Sequence, residues 1–188
     1  MQNRWLADEW FTDDDKLNSL FPSLIHKLAD QHWTPLLVAT DTADFLVPED
    51  GVKVFDIVSG AGKFCLAASH YKPNVLFYGN DQRIEMIGCS REIKSTLALN
   101  LSFMHGNFTQ IDFTQVDHFY FYNIYENIAV TAKIDDTIEY ALPLYNHCNS
   151  HLFTQLKKTP FGSRVETYHT CNSQMPPRYD LVETRISG

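Results

Sequence analysis

The sequence predicts an α/β fold: a doubly wound, mostly parallel sheet of order 3-2-1-4-5, with a final antiparallel strand and helices ahead of it. Three observations predict it. Short apolar runs alternate with segments of helical period, the pattern of parallel strands joined through helices. The run Val52-Lys-Val-Phe-Asp-Ile-Val-Ser-Gly-Ala-Gly62 passes from a buried strand through a glycine turn into a helix. A second buried run, Val75-Leu-Phe-Tyr-Gly-Asn-Asp81, ends on an acid, just as the first strand ends on Asp56.

The elements follow in order. Residues 13–29 read as an amphipathic helix with Leu17, Leu20, Leu24 and Leu28 on one face. Asp13, Asp14 and Asp15 suit its positive N-terminus, and Pro22 bends it. A second helix begins at Thr34-Pro35, with Thr34 as cap and Pro35 at the first helical position. Leu36, Ala39, Ala43 and Leu46 form its inner stripe, and Pro48-Glu-Asp-Gly51 turns the chain into the first strand, residues 52–56. A helix over 62–71, a strand over 75–79, a helix over 83–99 and strands over 101–105 and 118–123 come next. A long helix over 135–157 keeps its period from Ile134 to Leu156, with Pro143 as a kink. Residues 164–169 make the fifth strand. Residues 179–186 return antiparallel beside it, because the connection is too short for a crossover helix. Crossovers should be right-handed, with helices on both faces. One domain over 1–188 results, with an α/β core over 49–188. The helices over 1–48 either close over the sheet's carboxyl edge as a lid or cover one face as an extension.

Composition narrows the function. A chain of 188 residues with 44% hydrophobic content suits one globular domain. No apolar run reaches the roughly 20 residues that span a bilayer, and the N-terminal stretch carries no apolar block. A soluble, cytoplasmic protein is expected. The four cysteines, Cys65, Cys89, Cys148 and Cys171, form no C-x-x-C pair and read as buried thiols. His147 and His151 form an i,i+4 pair without a third ligand, so no metal is expected. With 15 basic residues against 23 acidic ones, a formal charge of −8 disfavours a nucleic-acid acceptor. A small molecule or a protein side chain is favoured instead, with no membrane partner.

The strand-turn-strand unit suits an adenosine-containing cofactor. Gly60 and Gly62 lack a Cβ and allow close backbone approach. Asp81 stands about where a carboxylate can hold ribose hydroxyls. A dinucleotide needs an uncluttered helix N-terminus for its pyrophosphate. Here the third glycine of G-x-G-x-x-G is replaced by Cys65, and Asp56 brings negative charge near the phosphates. S-adenosylmethionine (SAM) carries a sulfonium and an ammonium and no phosphate, so both acids favour it.

Asp56-Ile-Val-Ser-Gly-Ala-Gly62 resembles the D-x-G-x-G-x-G motif of class I SAM-dependent methyltransferases. The wider pattern is similar to a poorly characterised group within that class. It comprises His32-Trp-Thr-Pro35, Gly62-Lys-Phe-Cys65, Asp81-Gln-Arg83, Phe119-Tyr-Phe-Tyr-Asn123 with Glu126, Thr167-Tyr-His169 and Met175-Pro-Pro177. The resemblance implies a Rossmann-like methyltransferase fold. It also implies that Asp56, Val58, Ser59, Gly60, Gly62, Asp81 and Gln82 hold the cofactor. An adenine contact is implied at Gly106-Asn107-Phe108, where the other reading is that Asn107 shapes a turn. Val58 replaces the motif's first glycine, and valine resists positive φ, so the turn must use negative φ there.

Residues at strand carboxyl ends are candidates for the chemistry, because ligands of open parallel sheets bind there. Asn123 either holds the acceptor or caps the next helix. Asn123-Ile-Tyr-Glu126 matches the N/D-P-P-Y tetrapeptide of amino-methylating enzymes only at the Asn, with Ile124 in place of Pro. His169 and Glu126 are candidate bases, needed only for an acceptor that arrives protonated. Trp33 either covers the cofactor or belongs to the core. Two other readings stay open: an NAD(P)- or nucleotide-binding oxidoreductase or sensor, and a SAM-binding module without catalysis.

Overall fold

The computed structural model describes residues 5–122, 134, 142–168 and 175–184. Five parallel strands form one sheet in the order β3-β2-β1-β4-β5. They are β1 (Lys53–Asp56), β2 (Leu76–Asp81), β3 (Leu101–His105), β4 (His118–Tyr122) and β5 (Val165–Tyr168). Strand order reverses between β1 and β4, which places a topological switch point at their carboxyl ends.

Apolar side chains point to both faces of this sheet. On β1, Val54 joins a cluster with Phe64, Leu66, Phe77, Ile87 and Phe103, while Phe55 joins Phe113, Phe119, Phe121 and Leu152 on the other side. Alternation along a strand sends neighbours to opposite faces. Near-continuous apolar strands are therefore the signature of a sheet covered twice. Helix α6 (Lys63–Tyr71) and helix α7 (Ile84–Thr96) contribute to the first cluster. Helix α8 (Leu142–Leu156) turns Cys148, Leu152 and Leu156 into the second. Pro143 stands in the first turn of α8, where a missing N–H costs nothing. Residues 135–141, the expected first part of this helix, lie outside the described residues, while Ile134 sits in a bend.

The N-terminal region is broken where Pro22 predicted a bend. After the short α1 (Trp5–Asp8) come α2 (Asp14–Ser19), α3 (Ser23–His26) and α4 (Ala29–His32). Asp13 caps α2 by accepting from the Lys16 N–H at 2.8 Å. The break rotates Leu24 out of the expected stripe, and its side chain is 73% exposed while Ile25 turns inward. Helix α5 (Leu36–Leu46) packs on α6 and on β4 and β5. Thr34 does not cap it. The Thr34 hydroxyl is 2.8 Å from the Tyr120 hydroxyl, and the Leu36 N–H donates instead to the Asp14 carboxylate.

The expected final antiparallel strand is absent from residues 175–184. This segment attaches to the end of α8 instead. Arg178 donates to the carbonyls of Lys157 at 2.7 Å and Thr159 at 3.0 Å, and the Tyr179 hydroxyl lies 2.6 Å from that of Thr159. Carbonyls left over at a helix C-terminus need such donors, and this segment supplies them. Residues 185–186 lie outside the described residues. Among the described residues, no helix is long and apolar enough to cross a membrane. Cys65, Cys89 and Cys148 are buried thiols, and burial, with the Glu92 charge, pushes Cys89 up to about 11; Cys171 lies outside the described residues.

Phe103 from β3 fills the space under two glycines. A Cβ on Gly62 would stand 2.4 Å from its ring, and one on Gly79 would stand 2.7 Å from it. Gly62 also holds φ +80°, which an L side chain resists. Gly62→Ala should therefore destabilise the fold by about 2–5 kcal/mol, combining left-handed strain with overpacking. Urea unfolding with an unchanged m-value and a lower midpoint is the expected result.

Candidate functional site

The turn after β1 is held by the end of β2. The Ser59 N–H donates to the Asn80 carbonyl at 2.8 Å, and the Gly60 N–H donates to Asp81 Oδ2 at 3.1 Å. Gly62 closes the turn by donating to the Ser59 carbonyl at 2.8 Å. Gly60 and Gly62 take positive φ, of 54° and 80°. Val58 stays out of the left-handed region, as its branched side chain requires; among the described residues the only non-glycine with positive φ is Ala98.

Beside this turn is a cleft at the carboxyl ends of β1, β2 and β4. Its walls include Trp33, Asp56, Val58, Ser59, Gly60 and Asp81, which the sequence nominated for the cofactor. His32, Thr34, Lys63, Phe64, Arg83, Tyr120, Tyr122 and Ile134 complete the lining. Gly62, Gln82, Asn107 and Phe108, nominated with them, are not among the residues of this wall. The Gln82 carbonyl lies 3.0 Å from His105 Nε2. Asn107 Oδ1 accepts from the Thr109 N–H at 3.0 Å, which is the turn-shaping arrangement, and Phe108 is buried in the second cluster near His151. Asn123, Glu126 and His169 lie outside the described residues.

The two glycines do not leave open space above the turn. A Cβ on Gly60 would stand 2.3 Å from the Trp33 indole, and Phe103 fills the corresponding space at Gly62. The absence of a Cβ is used first for packing against this chain's own rings. Trp33 is both core and cleft wall: it is buried, and its indole N–H donates to the Ile25 carbonyl at 3.1 Å.

Asp81 is more engaged than a free ribose ligand would be. Its Oδ1 accepts from the Arg83 N–H at 2.8 Å and lies 3.5 Å from the Arg83 guanidinium, while Oδ2 takes Gly60. Burial raises its carboxyl above the ordinary range, and the Arg83 and Gly60 donors pull it back. Lone pairs remain on both oxygens, so a ligand hydroxyl would add to these bonds rather than replace them.

Asp56 is different. It is 2% exposed, its Oδ2 is 3.7 Å from the Cys65 thiol, and its Oδ1 is buried without a partner. Burial pushes its carboxyl well above the usual carboxylate range; the Cys65 donor opposes this and the Asp81 charge adds to it. Ser59 Oγ is likewise buried without a partner. Buried polar atoms nearly always have partners, and the cleft wall holds two that have none, Asp56 Oδ1 and Ser59 Oγ. A donor-bearing cation fits a bare carboxylate oxygen, and a phosphate does not. Among the described residues, no group of three or more metal-ligating side chains occurs.

Of the lining residues that sequence reasoning did not assign, Lys63 and Arg83 carry a permanent charge. Their signal was their place: one residue after the glycine turn and two after the strand-ending acid. A basic side chain there is easily read as solvated, and only packing shows that both are buried, at 3% and 4% exposed.

No protein-family model matches this chain, and no curated protein sequence does either. Solved structures share its fold. One is an RNA methyltransferase from Salinibacter ruber in complex with S-adenosyl-L-homocysteine, at 14% identity and TM-score 0.53, covering 71% of this chain and 75% of that one. TrmN from Thermus thermophilus aligns at 18% identity and TM-score 0.56 over 80% of this chain and 44% of TrmN. The plantazolicin methyltransferase BpumL, in complex with S-adenosylhomocysteine, aligns at 18% identity and TM-score 0.53 over 87% of this chain and 56% of BpumL. The chain thus spans about half the length of the latter two. These likenesses establish the architecture as the Rossmann-like methyltransferase fold.

The orphaned carboxylate has a measurable cost. Because the folded-state pKa of Asp56 lies above its unfolded value, the folded state binds the proton more tightly. Stability is then greatest at low pH with respect to this group and is lost as pH rises through the folded pKa. Asp56→Asn should flatten that slope and stabilise the ligand-free protein at pH 7–8 by about 1–2 kcal/mol. Denaturant midpoints across pH 5–8 check this; a variant that is less stable at pH 8 rejects it.

Proposed function

We propose that this chain binds SAM and transfers its methyl group to a small-molecule or protein side-chain acceptor. The observation that carries the reading is the buried, partnerless Asp56 Oδ1 in the cleft beside the glycine turn. A bare carboxylate oxygen in this wall suits a ligand bearing an ammonium and a sulfonium. Further support comes from the fold, which two methyltransferases crystallised with S-adenosylhomocysteine share.

When bound, SAM supplies an activated methyl group on a positively charged sulfur. Asp56 would balance that positive charge, Ser59 would offer its hydroxyl, and Asp81, fixed by Gly60 and Arg83, would accept from the ribose hydroxyls with its remaining lone pairs. Trp33, Phe64, Tyr120 and Tyr122 form an aromatic wall that keeps water from the reacting atoms. In-line displacement at a methyl group asks chiefly for alignment, which contributes roughly 7–11 kcal/mol in well-oriented systems. Gln82, Asn107 and Phe108 keep a place at the cofactor's edge in this proposal on the sequence resemblance, not on the cleft wall. His32, Trp33 and Thr34 bring the N-terminal helices to the cleft, and we read those helices as its lid.

The acceptor side belongs to Asn123, Glu126 and His169 in this proposal. Asn123 directly follows Tyr122, and His169 directly follows Tyr168, whose ring centroid is 5.2 Å from that of Tyr122. The net charge of −8 favours an acceptor other than a polynucleotide. The RNA methyltransferase among the structures of this fold makes RNA the competing outcome.

Isothermal titration should show that SAM and S-adenosylhomocysteine both bind, with NADH giving no fluorescence change. Asp81→Ala should weaken both adenosyl ligands roughly five- to thirtyfold, the worth of about 1–2 kcal/mol of ribose hydrogen bonding. Folded protein that binds neither ligand would falsify the proposal. Transfer of label from methyl-labelled SAM to fractions of a cell extract separates an enzyme from a non-catalytic module, and a label confined to RNA would overturn the acceptor class.

A further inference from the structure

Lys63 is the first residue of α6 and stands in the cleft wall, yet its side chain is only 3% exposed. Lysine is almost never buried unless paired. Its ammonium pairs with Asp14 Oδ1 from α2. The pair is unequal, because the Asp14 side chain is 43% exposed. Asp14 also has other partners, accepting from the Leu36 N–H at 3.0 and 3.2 Å. If the two separate, Asp14 keeps its backbone donor and meets water, whereas the Lys63 ammonium is left buried and needs another anion.

The same cleft wall carries Asp56 Oδ1 and Ser59 Oγ, both buried without partners. A buried cation and a bare carboxylate oxygen in one wall complement a zwitterion, an ammonium together with a carboxylate. We infer that Lys63 is the subsite for the carboxylate of the ligand's amino-acid portion, and that Asp14 is a stand-in which that carboxylate displaces. The inference rests on the proposed SAM-binding function. The exchange is non-covalent: the Lys63 ammonium changes one carboxylate for another, and the released Asp14 hydrates. It makes the carboxylate, rather than the adenosine, the group that releases Asp14 of α2 from Lys63 of α6.

The test compares SAM with decarboxylated SAM, which keeps the adenosine, sulfonium and ammonium. Isothermal titration of the full chain should show SAM binding at least tenfold tighter. Lys63→Met should reduce that gap to threefold or less by weakening SAM alone, and Lys63→Arg should preserve it. Asp14→Asn keeps an acceptor for Leu36 but removes the competing charge. It should lower the melting temperature of the ligand-free protein, enlarge the SAM-induced rise and strengthen SAM severalfold without changing the decarboxylated ligand. Equal weakening of both ligands by Lys63→Met, or a gap that survives it, overturns the subsite. Wild-type protein that binds the two ligands equally also overturns the subsite while leaving the SAM-binding proposal standing. Wild-type protein that binds neither overturns both.

Discussion

The buried carboxylate of Asp81 organises the centre of this molecule. One oxygen accepts from the Gly60 N–H in the turn after β1, and the other accepts from the Arg83 N–H at the entrance to α7. A single side chain therefore ties two strand ends and one helix start into a unit. Without it, Gly60 would have a buried N–H to satisfy and Arg83 would lose its counter-charge. Because the group is ionisable and buried, its bonds are strong only while all its donors stay in place. The position of the cleft follows from this knot, which sets how far the β1 turn stands from the end of β2.

Aromatic rings complete what the carboxylate begins. Trp33 lies over Gly60, Phe103 lies under Gly62 and Gly79, and Phe64 stacks on Tyr120 with ring centroids 4.1 Å apart. The N-terminal helices reach the cleft through Trp33 and the Asp14–Lys63 ion pair, so they contribute to the site although they precede the sheet. Against this closely packed background, the partnerless atoms of Asp56 and Ser59 stand out. A protein that fills its glycine turn with rings yet leaves a carboxylate oxygen bare gives up stability at the place where a cation would restore it.

Much of the architecture was legible in the sequence, and the failures have definite causes. The strands, the glycine turn and the two strand-ending acids rest on local pattern: short apolar runs between helical segments, glycine at positive φ, acids at fixed spacing. The long N-terminal helix failed as one element because Pro22 interrupts it, and Thr34 failed as a cap because Tyr120, eighty-six positions away, takes its hydroxyl. The antiparallel return failed because Arg178 and Tyr179 found the free carbonyls at the end of α8. In the last two cases a distant partner overrode a local preference.

The same division holds at the site. Neighbouring residues are enough to place Asp56, Gly60, Gly62 and Asp81 at a sheet switch point, because main-chain turns and strand ends are encoded locally. Packing across the fold settled which polar atoms were used up and which were left bare. It committed Asp81 to Gly60 and Arg83, orphaned Asp56 Oδ1, and buried Lys63 against Asp14 from a helix that begins forty-nine positions earlier. Solvation is the physical reason: whether a charge is paired, exposed or stranded depends on every segment packed around it, and no local spacing specifies that.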